Sequence, residues 1–272
     1  ISIFGLAGTS TITFNEEDTF RTNENNKYEL KSVNGSKTLI VGANYLHILN
    51  SGTSIKTGVA FSARQPYSTI DSLLNKNSFL QLDNNSFKQS NVTLTSKIIK
   101  RINSKNTATF GIVIQDLWFN ASRMTSDYNV NDSSLIIDKP YTISADNLIL
   151  YQFYLQWKHN FTDQLFSTIG INALYFNYNK TKSIDPRAGI SWQLTQKQNI
   201  SIGYGLHSQL QPVNVYFIQS KTGVDVNERI IYSDLGTNKN LDFSKSHHFA
   251  ISHNYSLTSN LRIKTEAYYQ YL

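Results

Sequence analysis

The side chains able to do chemistry are few and scattered. Of six histidines, His207 stands on the same alternating face as Gly203 and Gly205. Such a position suits a ligand or metal contact, or simply a polar wall residue bonded to its neighbours. His247 and His248 are adjacent, so on a strand they point to opposite faces and cannot chelate one ion together. His47, His159 and His253 lie far apart, and no His–carboxylate spacing fits a metal hydrolase. Asp127-Tyr-Asn-Val-Asn-Asp132, with Asp138 beyond, places oxygens at calcium-loop offsets one, three, five and twelve. The glycine at the sixth position, the closing Glu and the flanking helices are missing, so the run reads as a solvated connection. Glu16-Glu17-Asp18 reads as a solvated charge cluster. No Gly-x-Ser-x-Gly elbow and no phosphate-cradling glycine loop is present. The absence of cysteine removes disulfides, thiolate metal centres and cysteine nucleophiles. The chain is therefore read as a protein without catalytic machinery, resident metal or cofactor.

The richest segment runs from His207 to Phe217. Here Gln209, Gln211 and Asn214 mix amide donors with the aromatic faces of Tyr216 and Phe217. His207, Gln209, Gln211 and Tyr216 are the candidate ligand-binding residues, suited to a sugar, a peptide or a chelate. The alternative is a local structural motif.

Strands must position these residues. Leu261, Ile263, Thr265, Ala267, Tyr269 and Tyr271 alternate with Arg262, Lys264, Glu266, Tyr268 and Gln270. That is period-2 patterning. Ile200, Ile202, Tyr204 and Leu206 alternate with Ser201, Gly203, Gly205 and His207. Extending the reading predicts about 11 strands, over roughly 1–14, 37–49, 54–64, 88–101, 107–122, 146–160, 165–178, 186–195, 198–207, 245–257 and 260–272. No stretch has a convincing helical pattern, although Leu73 and Leu74 could sit in one helical turn within a loop.

Connections differ sharply in length. Asn50-Ser-Gly-Thr, Asn103-Ser-Lys-Asn, Thr162-Asp-Gln, Gln196-Lys and Thr258-Ser-Asn are turn-formers of hairpin length. Polar stretches over roughly 15–36, 65–87, 123–145 and 208–244 read as long loops. Only the connection from Asn179 to Asp185 is a short member of that second series. Long loops at one end and tight turns at the other are the pattern of an outer-membrane β-barrel. A tilted barrel strand crosses the hydrocarbon in about 9–11 residues. A mean hydropathy of −0.34 fits strands with one polar face and excludes a bundle of membrane helices. Trp157, Trp192, Tyr255, Tyr269 and Tyr271 fall toward strand ends, where interfacial girdles form.

The fold expected is thus an all-β, antiparallel transmembrane β-barrel, carried by a single domain over residues 1–272. Eleven strands is an odd number, and the two outer strands would have unpaired lipid-facing edges with unsatisfied backbone groups. The chain also begins and stops inside strands, at Ile1 and Leu272. Both features lead us to expect roughly half of a 22-stranded barrel. The net charge of +6 is spread out, with no basic run apart from Lys97–Arg101, so nucleic acid is not an expected partner.

Residues 174–217 include Leu174-Tyr-Phe-Asn-Tyr-Asn, Ser183-Ile-Asp-Pro-Arg-Ala-Gly-Ile-Ser-Trp-Gln-Leu and Asn199-Ile-Ser-Ile-Gly-Tyr-Gly-Leu-His-Ser-Gln-Leu-Gln-Pro-Val-Asn-Val-Tyr-Phe. This stretch resembles the barrel of TonB-dependent outer-membrane receptors, in the subgroup with an N-terminal carboxypeptidase-regulatory-like domain. Pro186-Arg187 matches the pair that opens a strand in that family. Lys245-Ser-His-His248 and the final strand from Leu261 follow the same pattern. The resemblance covers roughly 170–272. It implies a 22-stranded barrel occluded by a plug, residence in the cell outer membrane, and uptake of a scarce nutrient energised by TonB acting through the plug region. Outer-membrane lipid would surround it, and a surface lipoprotein is a further possible partner. Plug and remaining strands lie outside this sequence, so this chain by itself is not expected to carry out gated transport. Two other readings stay open: a non-energised porin or adhesin barrel, and a secreted soluble β-sheet glycan-binding protein.

Overall fold

The structure is a computed structural model that describes residues 1–18, 28–74, 78–129, 134–137, 141–218, 221–224, 230–232 and 238–272. Eleven strands follow one another in a single antiparallel path. They are β1 (Ser2–Asp18), β2 (Tyr28–Asn50), β3 (Thr53–Leu74), β4 (Ser78–Arg101), β5 (Asn106–Asn129), β7 (Tyr141–Asn160), β8 (Leu165–Phe176), β9 (Lys182–Thr195), β10 (Gln198–Gln209), β13 (Ser244–Ser256) and β14 (Arg262–Tyr271). A short β6 (Ser134–Ile137) pairs with β5, and β11 (Lys221–Val224) pairs with β12 (Ile230–Tyr232) in a separate ribbon. The sheet is not closed: β1 and β14 each have one neighbour.

Five tight turns close one end. Asparagine and threonine side chains hold them by accepting backbone N–H groups two or three residues on, the usual Asx and ST arrangement. Asn103 Oδ1 accepts from Lys105 N (3.0 Å) and Asn106 N (2.8 Å). Thr162 Oγ1 accepts from Gln164 and Leu165, and Thr258 Oγ1 from Asn260 and Leu261.

From β2 to β14 register gathers most apolar positions nearer the tight turns on one face, called outer here, while Phe4 and Leu6 of β1 pair with Gly42 and Ile40 on the opposite face. Thr57, Ser96, Ile112, Phe153, Ala173 and Ile184 form one rung across six strands. Ile190, Ile202, Ile251 and Ala267 form another. Ile202 has both neighbouring strands in place and remains 53% exposed. The two hydroxyls in the first rung, Thr57 and Ser96, satisfy each other at 3.1 Å.

Opposite the tight turns, the structure departs from expectation. The described parts of 15–36, 65–87 and 123–145 are strand. Leu73 and Leu74 belong to β3, with no helical turn. β4 has 24 residues where β10 has 12. At about 3.3 Å per residue the longer strands reach well past what a bilayer needs. These extensions looked like loops because they are polar; within the strand expected over 107–122, the alternation inverts. On β5 the outer face carries Ile112 and Ile114, then Asp116 and Trp118, then Asn120 and Ser122. Its inner face turns apolar at the same height, burying Leu117, Phe119 and Ala121. Above the crossover the outer face is polar on β4 too, at Ser86 and Lys88. Tyr67 lies across Gly35, where a Cβ would collide with its ring, and its hydroxyl meets Thr11 Oγ1 at 3.0 Å.

A bulge re-phases β7. Asn147 adopts φ 55°, a left-handed conformation that Asn tolerates. Pairing on β5 steps from Leu117–Leu148 to Phe119–Ala145. Asn177 clamps the bulge: its Oδ1 accepts from Ile149 N (2.7 Å) and its Nδ2 donates to Asn147 O (2.8 Å). Leu148, Ala145 and Ile143 consequently share the inner face.

Candidate functional site

The connection from β10 to β13 supplies the cover for that inner apolar surface. Pro212, with φ −51°, leads into a 3-10 turn over Val213–Phe217, closed by Val215 N donating to Pro212 O at 2.9 Å. The turn presents Val213, Tyr216 and Phe217 to the wall. Phe217 stacks on Phe119 at 5.6 Å between ring centroids, and Tyr216 packs on Phe176 at 5.6 Å. Phe243 and Leu174 complete this core, and Phe176 is 0% exposed. Asn238 Nδ2 donates to Val215 O, and Asn179 Nδ2 donates to Leu241 O at 2.7 Å, so both limbs of the cover are pinned. Burial pushes the phenols of Tyr178 and Tyr216 above their usual titration range.

Below the cover runs a polar relay. Gln152 Nε2 donates to Asn172 Oδ1 (2.9 Å), and Asn172 Nδ2 donates to Asp185 Oδ2 (3.2 Å). Asp185 is fully buried and accepts three more bonds, from Ser183 Oγ (2.8 Å), Ser208 Oγ (2.7 Å) and Ser208 N (3.1 Å). A buried carboxylate needs such partners. This one ties β7, β8 and β9 to the point where β10 leaves the β9 ladder, whose last pair is Gly205–Arg187.

Between relay and cover lies a cavity of about 390 Å3. Carboxamides from Gln89, Asn91, Gln115 and Gln152 line its wall, and Gln209 and Gln211 line its other side. Leu117, Leu150, Leu174, Leu210 and Val213 supply apolar surface, and no lining residue is ionisable. Two of the four candidates from sequence, Gln209 and Gln211, thus meet here. His207 lies on the inner face as expected but outside the cavity, its ring 4.6 Å from that of His248. Gly205 leaves room for it, since a Cβ there would stand 2.8 Å from His207 Nε2. Tyr216 is 1% exposed, inside the cover's core. Sequence reasoning missed Gln89, Asn91, Gln115, Gln152, Asn172 and Asp185. Their signal was present: amides on the inward phase of strands whose outward phase is apolar. Among the described residues no group of three metal-ligating side chains occurs. Side chains of Glu16–Asp18 and of Asp127–Asp138 lie outside the described residues.

No family model and no curated protein matches the chain. Solved structures do. The RagAB peptide transporter aligns with TM-score 0.57 at 9% identity, over 89% of this chain and 30% of that one. The outer membrane transporter YddB from Escherichia coli aligns with TM-score 0.56 at 10% identity, over 98% of this chain and 46% of that one. RagAB in its closed-closed state, a peptide importer, aligns at 0.55 and 10%. This chain therefore has the fold of an outer-membrane β-barrel and spans less than half the length of these structures.

Proposed function

We propose that the chain is the barrel region of a TonB-dependent outer-membrane transporter, a receptor for nutrient uptake with no enzymatic role. The observation that carries this reading is the outer apolar belt. It crosses the sheet from β2 to β14, stays half exposed on central strands, and gives way to polar residues above. In water so large a patch is a liability, whereas acyl chains satisfy it. Trp157 and Trp192 at the turn end, and Tyr151, Tyr175, Tyr204 and Tyr269 at the other, suit the two interfaces. The open edges at β1 and β14 call for further strands, in keeping with a larger barrel of about 22. The resemblance over 170–272 supports TonB as the energy source, acting through a plug, and admits a surface lipoprotein above the mouth. That the aligned structures are transporters agrees with the uptake role. Fractionation of cells making the full-length protein tests it: recovery in the outer membrane, with TonB crosslinking, is expected. Recovery in a soluble fraction overturns it.

A further inference from the structure

We propose that the cavity beneath the β10–β13 cover binds a short neutral peptide segment through its backbone amides; this rests on the uptake reading above. Three features of the lining lead there. Apart from Ser208, whose hydroxyl already donates to Asp185, the polar groups are carboxamides, each offering both a donor and an acceptor, which matches the paired N–H and C=O of a peptide unit. Among the described residues Gln89, Gln115 and Gln209 make no side-chain hydrogen bond, which leaves their donors and acceptors for a ligand. Asn91 and Gln152, by contrast, are already engaged, by Thr93 and Asn172. Second, the lining holds no ionisable residue, which disfavours phosphates and carboxylate-rich chelates, because an anion leaving water needs a charge partner. Third, the apolar surface is aliphatic. Phe243 is the one aromatic ring in the lining, and it is buried in the cover's core, so no exposed platform exists for stacking a sugar. Aliphatic walls with amides at their rim suit small alkyl side chains carried on a peptide backbone. The volume lies within the roughly 300–1,000 Å3 usual for ligand sites.

Calorimetric titration of the full-length protein in detergent tests the assignment with three probes: acetyl-Ala-Leu-Ala-amide, maltotriose and inorganic phosphate. Saturable tripeptide binding is expected, weakened roughly tenfold by either Gln115→Leu or Gln89→Leu. Gln115→Glu should move preference roughly tenfold toward acetyl-Lys-Leu-Ala-amide, a change that loss of structure would not produce. Maltotriose binding that is lost in Gln115→Leu overturns the proposal in favour of a glycan, and phosphate binding there overturns neutrality. An outer-membrane protein that binds no tripeptide overturns the ligand class and leaves the barrel reading standing. A protein recovered outside the outer membrane overturns the barrel reading, whatever it binds.

Discussion

The tall wall of β2–β5 and the low sector of β8–β10 are built on the same pairing rule and differ in what lies beyond the belt. In the low sector β10 stops at Gln209, soon after its last belt residue, and the chain turns inward as the cover. In the wall, strands of 22 to 24 residues continue. Their outer face becomes largely polar; on β5, and at Phe87 of β4, the inner face becomes apolar, and the cover from the low sector buries there against β5, β7 and β8. One molecule thus holds two solvation regimes. In the belt, apolar side chains look outward to lipid and gain little from protein neighbours. In the cap, they look inward and pack as in a water-soluble core.

Substitutions can break this contrast, and the largest effect belongs to the cap. Phe176→Ala empties a fully enclosed ring site and should cost about 3–5 kcal/mol of cap stability. Protease cleavage after Lys239 would rise sharply while outer-membrane assembly persists; unchanged cleavage would show that the cover is held otherwise. Next comes the belt. Ile202→Asp should cost about 3 kcal/mol and depress assembly, whereas Asn120→Asp, on the polar outer face of the wall, should stay within about 0.5 kcal/mol. Equal effects at the two sites would erase the boundary between regimes. Asp185→Asn replaces one accepting oxygen by a donor, leaving serine donors unpaired beneath the cover. We expect a loss of about 2 kcal/mol, read as earlier thermal release of the 210–218 segment, with the belt unaffected. The smallest effect is expected at the bulge. Asn177→Ala removes the clamp on Asn147 and should cost about 1 kcal/mol, seen as faster amide exchange at Ile149.

The belt was legible because lipid imposes a local rule. Every second residue must be apolar, so Ile200, Ile202 and Tyr204 announce their face without reference to any partner. Five of the short turns were legible for a similar reason, since Asn103, Thr162 and Thr258 bond their own backbone. The wall was not. Its upper stretches over 65–87 and 123–145 are polar and read as loops, and although Leu117, Phe119 and Ala121 fall within the strand expected over 107–122, nothing in their spacing announces the cover that buries them.

By itself, then, the sequence determined eleven strands, their outward face in the belt and the end at which they turn tightly. Tertiary structure alone decided that the polar stretches extend as strands, that Tyr216 and Phe217 fold back onto Phe176 and Phe119, and that amides from β4, β5, β7 and the 208–211 segment converge. The reason is range. Alternation records the solvent beside each residue, which acts locally, while cover and cavity arise from contacts between segments far apart in the chain, whose pairing no local pattern records.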